Sequence, residues 1–490
     1  MTVGWVRRTL WDLEWCEEAE CALSKTATRN EGHVMEGGGD LFSLTGNPFV
    51  DTGLAVMCVL SGRHSPEQLT LQDVTRLVAI IIDTYSQGRW SRDIHGLFFP
   101  NSELANPSVK NGPERYRDLL AKWVAALGTN NGVGNCSICG RRNGELANKT
   151  RVPLFGSLGF VNFFPAWSPG QRVCPNCLLA IQFSLMGVEK AGRPLMLHAP
   201  TWEIQRAYAQ RAVRQVRANT ARGEAGIASF GYSNQAHLNA AFDAILEIVQ
   251  LDEIRAMPTG RLVAPLRFYH FTNYGQGPDV EIIDISGPVF EFLLEATKRR
   301  MRDAWEQVVR RGLVRTKKKG TDNEIRKVVP NMVYQYLTQD RSIVSFFLDH
   351  DEVKAIGSWD LLSLYLRMVR EMTDKRINAI REIADRFLEH CKKEGSAKRI
   401  LQLHYARSYR DFRSVLLRVS RAMVMREGEP LLSFDSFVLD IAPEGGRNWQ
   451  EIRDLLLFRI YEQGASWLRN ERIDLEPVEE AEVDTEQEAI

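Results

Sequence analysis

Four cysteines in this 490-residue chain have the spacing of a metal centre. Cys136-Ser137-Ile138-Cys139-Gly140 and Cys174-Pro175-Asn176-Cys177 are two C-x-x-C knuckles with 34 residues between them. Each knuckle offers two sulfurs from one tight turn, and four sulfurs leave no open coordination position. That suits a structural, tetrahedral Zn²⁺ better than a catalytic one. Disulfides would need a secreted chain. A knuckle without metal and a redox C-x-x-C pair are the other readings, and neither pair reads as the strand-to-helix turn of a βαβ unit. Cys16, Cys21, Cys58 and Cys391 read as small buried or leader residues.

Other catalytic signatures are missing from the sequence. It contains no G-x-x-x-x-G-K-[ST] phosphate loop, no H-E-x-x-H and no G-x-S-x-G. His350-Asp351 is an HD dipeptide without a second His-rich motif to complete a metal phosphohydrolase, and a surface dipeptide is the plainer reading. The expectation is a protein that is not an enzyme.

Basic residues form the second pattern. Between Lys298 and Lys327 twelve Lys or Arg, including Arg299, Arg300, Arg310 and Arg311, face four acids, a net of +8. Lys398–Arg426 carries a net of +7, with Arg407, Arg410 and Arg413 beside Tyr405 and Tyr409. The segment Trp202–Arg222 adds Arg206, Arg211, Arg214, Arg217 and Arg222 against Glu203. Phosphate backbones reward such surfaces through counterion release, and aromatics among guanidinium groups suit single strands. The plain alternative for any one cluster is a solvated helix face. Base edges could be read by polar loops: Lys110-Asn111, Asn130-Asn131, Arg141-Arg142 and Asn234-Gln235 carry suitable groups, although Asn is common in loops for its own reasons.

The elements that must position these groups follow from composition and periodicity. With 44% hydrophobic and 25% charged residues, the chain is ordinary globular material for two to four packed units at roughly 150 residues each. The formal charge of zero conceals a tail: 475–490 holds seven acids and no Lys or Arg, leaving the body at +7. No apolar run approaches the ~18 residues of a membrane span. Trp11-Asp12-Leu13-Glu14 stands where a signal peptide would be apolar, so a cytoplasmic protein is expected.

Residues 1–40 read as a leader, with Met35 an alternative start; 41–130 as a helical region; 131–186 as the zinc-knuckle segment; 187–286 as mixed α/β; 287–474 as a helical bundle; 475–490 as a disordered acidic tail. Helices are predicted over 48–60, 71–85, 114–127, 178–186, 202–222 and 234–250, and strands over 261–271 and 280–285. Phe155, Phe160, Phe163, Phe164 and Trp167 supply a small apolar cluster to the zinc segment. The whole is α+β and mostly α: an N-terminal helical and zinc-knuckle domain, a small β-containing core and a C-terminal bundle.

Leu44-Thr45-Gly46-Asn47-Pro48-Phe49-Val50-Asp51-Thr52-Gly53, followed by the paired knuckles, resembles the CXXC–CXXC large subunit of type I CRISPR surveillance complexes (Cascade), of the I-A/I-B branch. The resemblance covers about 41–290, and the helical half in architecture. It implies a non-catalytic subunit that recognises the protospacer-adjacent motif in duplex DNA, aids strand separation and docks a downstream effector. Guide pairing would read the rest of the target. The implied partners are crRNA, target duplex DNA, the backbone and crRNA-processing subunits, and a helicase-nuclease or a transposition module. The bundle would touch the displaced strand. Met301 or Met332 as an internal start would yield it as a separate small subunit. Only the four cysteines and Asn47-Pro48-Phe49 carry over by residue. A zinc-ribbon scaffold in transcription or repair, acting without guide RNA, is the alternative.

Overall fold

The computed structural model describes residues 40–129, 132, 134–155, 171–258, 264–273, 279–313, 321–442 and 446–470. The leader with Cys16, Cys21 and Met35, the loop residues Asn130 and Asn131, Phe160, Phe163, Phe164 and Trp167, Lys317–Lys319 and the acidic tail lie outside them. Helix dominates, with small sheets, giving the α+β, mostly α class. Among the described residues no helix is long and apolar enough to cross a membrane.

Contacts divide the chain into two compact units, Met1–Phe290 with Arg315–Asn331, and Glu291–Val314 with Met332–Ile490. The first differs from the expected boundary at 287 because the chain returns to it. Asn239 is fully buried, and its amide has to be satisfied internally. It donates to the carbonyls of Arg326 (2.6 Å) and Val329 (2.8 Å) and accepts from the Asn331 amide (2.9 Å).

In the first unit, α1 (Pro48–Ser61) starts where the composition says it should. The Asn47 side chain accepts from the Phe49 and Val50 amides, and Pro48 fills a position that needs no donor. Helix α2 (Leu71–Tyr85) opens on a reciprocal box between Thr70 and Asp73. After α3 (Gly112–Ala125) come a two-stranded antiparallel ribbon, β1 (Glu145–Ala147) and β2 (Gln171–Val173), and then α4 (Pro175–Phe183). Both α1 and α4 are apolar nearly all round, as central helices must be.

A five-stranded sheet completes the unit. It comprises β3 (Glu189–Ala191), β4 (Arg193–His198), β5 (Ala228–Tyr232), β6 (Leu266–Thr272) and β7 (Asp279–Ile285), in the order β5-β3-β4-β6-β7. Only the β3–β5 pair is parallel. Helix α5 (Trp202–Ala221) packs on it, with the Tyr208 hydroxyl donating to the Leu195 carbonyl at 2.8 Å. Helix α6 (His237–Ile248) follows β5. The sequence reading found β6 and β7 and missed β3, β4 and β5. Pro194 looks like a breaker, and Leu195–Leu197 is buried on both faces, so no alternation marks the strand.

Helix α7 (Gly287–Ala296) leads into the second unit. A turn at 297–301 interrupts the helix at the start of the expected bundle, after which α8 (Arg302–Arg311) begins. Then come α9 (Met332–Thr338), the short hairpin β8 (Leu348–Asp349) and β9 (Lys354–Ala355), α10 (Trp359–Met368), α11 (Asp374–Glu394), α12 (Lys398–His404), α13 (Tyr409–Glu427) and α14 (Trp449–Asn470). Its core is aromatic: Phe292 meets Trp305 (5.2 Å) and Tyr365 (5.7 Å) edge-on, and Phe458 meets Phe347 (6.0 Å). The stripes of Ile377, Ile380, Ala384 and Phe387, of Phe412, Leu416, Val419 and Met423, and of Ile452, Leu456 and Ile460 are all buried.

His350 lies in the β8–β9 hairpin with its ring against His404 (5.1 Å), whose Nδ1 shares a hydrogen bond with the Tyr461 hydroxyl at 2.6 Å. Burial, then the neighbouring charges of His350 and Arg453, push the His404 imidazole down to about 4. An unfolded histidine protonates near 6.5, so this group's contribution is intact above that pH and is lost as pH falls toward 4. Chemical denaturation at pH 7 and pH 4.5 should show the second unit weakening, and His404→Gln should weaken less over the same interval. Equal pH dependence in both would disprove the assignment.

Candidate functional site

The first knuckle is a turn fixed by its own backbone. The Cys136 amide donates to the Arg141 carbonyl (2.8 Å), and Gly140, at φ +78°, donates back to the Cys136 carbonyl (2.9 Å). A side chain at Gly140 would be strained in that left-handed conformation. The Ser137 amide donates to Arg172 in β2 (2.8 Å), which seats this knuckle beside the second. Cys174 is the residue before α4, Pro175 its first residue, and Cys177 lies in its first turn. This pair therefore sits between a strand and a helix, yet not in a βαβ unit, in line with the sequence reading. The strand belongs to an antiparallel ribbon rather than a parallel βαβ unit.

The four sulfurs converge. Sγ of Cys136 lies 4.0 Å from that of Cys177, Cys139 lies 3.4 Å from Cys174, and all four fall within 4.8 Å of one another. None is in a disulfide. A tetrahedron with metal–sulfur bonds of about 2.3 Å has edges of about 3.8 Å, so the set fits a single tetrahedral ion. Three of the sulfurs are buried, and the Ile138 amide donates to Cys136 Sγ at 3.4 Å, as outer-shell donors to thiolates do. Shared protons split the thiols. Contacts with Cys139, Cys174 and Cys177 hold Cys136 down, while Cys139 falls to about 7 because Cys174 and Cys177 outweigh the raising contact with Cys136. Cys174 and Cys177 are raised, chiefly by their contacts with Cys136 and Cys139. Four thiolates this close need a cation to coexist.

The centre is fastened to the core on two sides. Asn176 Nδ2 donates to the Leu41 carbonyl and Arg141 Nη2 to the Asp40 carbonyl, both at 2.8 Å. Beneath it, α4 crosses α1 at Gly53, where a Cβ would sit inside the Ala180 carbonyl group. The Leu44–Gly53 motif thus has a structural account residue by residue. Asn47 and Pro48 start α1, and Phe49 packs edge-on against Phe271 at 5.4 Å. Asp51 accepts from the amides of Thr45 (2.8 Å) and Gly46 (2.9 Å), and Gly53 admits the helix that carries Cys177.

Residues 129–189 match the family model described as CRISPR-associated protein (Cas_CXXC_CXXC). The matched segment contains both knuckles, the β1–β2 ribbon and α4, so the similarity falls on the four-cysteine cluster and its scaffold. No curated protein and no solved structure matches the chain.

The basic residues separate once their partners are visible. Arg211, expected on a nucleic-acid face, is buried: it pairs with Glu189, which is 1% exposed, and its Nε donates to Glu247 at 2.7 Å. Arg214 is spent on the same Glu247 (2.7 Å). Arg211→Ala should cost about 3–5 kcal/mol by stranding Glu189, measured by urea unfolding, since breaking a buried pair leaves an uncompensated charge. A change below 1 kcal/mol would contradict the burial argument. In the Lys298–Lys327 run, Lys298 pairs with Glu295, Arg300 with Asp360, Arg311 with Asp349 and Arg326 with Asp243. Arg299 and Arg310 are exposed.

Helix α13 differs. Arg407 before it and Arg410, Arg413, Arg418 and Arg421 on it are exposed, and among the described residues none is paired with a carboxylate. Arg426 pairs with Glu394 at 3.3 Å. Leu417 and Met425 are exposed between the arginines, a mixed apolar and cationic surface. Lys110 and Asn111 are exposed in one turn, Asn111 with φ +57°. Arg142 is exposed on the first knuckle, and Arg141 is tied to Asp40. Asn234 and Gln235 lie in the turn before α6.

Proposed function

We propose that this protein is a non-catalytic large subunit of a crRNA-guided type I CRISPR (Cascade) complex. Zn²⁺ held by Cys136, Cys139, Cys174 and Cys177 is its structural staple, and α13 contacts the displaced DNA strand. The observation that carries the reading is the match of residues 129–189 to a CRISPR-associated family, on the segment where four cysteines converge. The unpaired arginines of α13 support the nucleic-acid part, because cations not already neutralised by carboxylates are the ones that release counterions. Recognition of the protospacer-adjacent motif and effector docking belong to the same proposal, with exposed Lys110, Asn111 and Arg142 as motif-reading candidates.

Purification of the tagged full chain from its native operon tests it. Uniform short RNA and a multi-copy backbone subunit are expected to co-purify. A lone, RNA-free chain that still bound duplex DNA would replace this reading with a zinc-ribbon scaffold. On the purified chain, Arg410→Glu, Arg413→Glu and Arg418→Glu together should weaken single-stranded DNA binding more than tenfold at 150 mM salt and lower the salt slope by about 3. Thermal unfolding should be unchanged. Less than a twofold loss would remove α13 as the interface.

A further inference from the structure

A second ligand cluster lies in the first unit, apart from the cysteines. His270 on β6 stands directly opposite Glu281 on β7 in the strand register, and His237 is the first residue of α6. The two imidazoles stack with centroids 4.3 Å apart. His237 Nε2 lies 3.3 Å from Glu281 Oε1, His270 Nδ1 lies 3.6 Å from Glu281 Oε2, and the three ligand atoms fall within 4.8 Å of one another.

Hydrogen bonding fixes which nitrogens are free. A carbonyl oxygen only accepts, so His237 Nδ1 donates to Asn234 O (2.7 Å) and His270 Nε2 donates to Ala191 O (3.0 Å). The neutral tautomers therefore turn both remaining lone pairs, His237 Nε2 and His270 Nδ1, toward one carboxylate. Metal-binding histidines are held in this way, the far N–H on a backbone carbonyl and the near nitrogen bare. The turn that supplies Ala191 is built for it: Gly192, at φ +72°, has no room for a Cβ, which would lie 2.6 Å from the Asn234 backbone.

Two chemistries compete for the cluster. A proton on His237 would make a simple ion pair with Glu281. That leaves His270 Nδ1 unanswered, and this atom is buried without any hydrogen-bond partner in a residue 1% exposed. A cation answers all three groups at once. Metal–ligand bonds of about 2.0–2.1 Å put tetrahedral ligands about 3.3–3.4 Å apart, and His237 Nε2 already stands 3.3 Å from Glu281 Oε1.

We infer that His237, His270 and Glu281 form a divalent transition-metal site. Two imidazoles and a carboxylate select a borderline ion such as Zn²⁺, Co²⁺ or Ni²⁺. Three protein ligands leave a position open, unlike the closed four-sulfur centre. Parallel rings aim their lone pairs side by side, so binding has to splay them. Glu281 is half exposed at the sheet surface and gives the ion an entry path. The neighbouring acid Asp279 is engaged by Arg193 at 2.7 Å and stays outside the ligand set.

Co²⁺ titration of the metal-free full-length chain given one equivalent of Zn²⁺, which the closed four-sulfur centre takes first, tests this. One equivalent of Co²⁺ should bind with weak visible d–d bands and no thiolate charge-transfer band. Glu281→Gln and His237→Ala should each weaken it at least tenfold, leaving the zinc content unchanged. Glu281 is exposed, so its variant separates ligation from misfolding. Absence of this cobalt, or equal binding in both variants, would overturn the site. Cobalt bound only with thiolate charge transfer would lie at the cysteines and would likewise overturn the site.

Discussion

Replacing Cys177 with serine should strip the metal from the four-sulfur centre and lower the unfolding temperature of the first unit by about 6–10 °C. Three ligands hold a structural ion poorly, and the binding free energy of such an ion is folding free energy. Zinc-finger peptides draw about 10–16 kcal/mol from it. The present unit keeps a large apolar core of its own in α1, α4 and the sheet, so only part of that is lost on unfolding the knuckles. A loss of about 4–5 kcal/mol corresponds to roughly 6–10 °C in a unit of this size. Metal analysis and a thermal scan check both halves of the expectation. Chelation of the wild-type chain should lower the transition in the same way. Cys58→Ala is the control: Cys58 is fully buried and its thiol is pushed up to about 12 by burial, yet it lies outside the cluster, so metal content should not change. Wild-type metal content in Cys177→Ser would end the four-cysteine assignment.

The elements that sequence alone placed are those whose causes are local. Asn47 before Pro48 and Thr70 before Asp73 set helix starts through side chains two or three residues away, and α1 and α2 begin where those residues stand. The C-x-x-C spacing is local too, and each half of the centre was legible. That the halves meet depends on the β1–β2 ribbon, whose strands are three residues long and carry no pattern of their own. Charge was legible as a count and misleading as a surface. Arg211 and Arg410 read alike in a helical segment, but Glu189, 22 residues before Arg211, neutralises only the first. His237, His270 and Glu281 are polar residues far apart in the chain, and only the strand register of β6 on β7 and the turn at Gly192 bring them together. Side-chain partners across tens of residues are what one sequence does not contain.

The first unit joins these themes at a single crossing, because the helix that carries Cys177 is the helix that packs on the Leu44–Gly53 motif. A metal centre on a surface loop could be lost without consequence for the core. Here α4 is buried along its whole length, with Tyr85 donating to the Gln182 carbonyl at 2.8 Å and Tyr116 to the Gln182 side chain at 3.0 Å. Displacing α4 therefore moves Cys177 and the hydrogen bonds of two other helices together. The Leu44–Gly53 motif, more than eighty residues upstream of the knuckles, forms the floor on which the second knuckle's helix lies.

Gly53→Ala should then be among the most damaging single substitutions in the chain, although alanine favours a helix over glycine by about 1 kcal/mol. Gly53 lies within α1 in ordinary helical backbone, so no conformational demand calls for glycine. The demand is spatial. An added methyl would overlap the backbone carbonyl of Ala180, which is held in a helix and cannot turn aside as a flexible side chain could. The helices must separate, opening the most apolar contact of the unit, and a cost at or above about 3 kcal/mol is expected for overpacking against backbone. Because Ala180 and Cys177 share α4, the same variant should also release its metal faster to a chelator. Gly62→Ala provides the contrast: at φ +73° with open space around it, alanine there strains only the backbone, by about 1 kcal/mol. Urea midpoints of the two variants, with chelator-driven metal release, decide the matter. A Gly53→Ala protein as stable as wild type, with unchanged metal release, would mean that α1 and α4 do not cross this closely and that the motif serves something other than the seat of the metal centre.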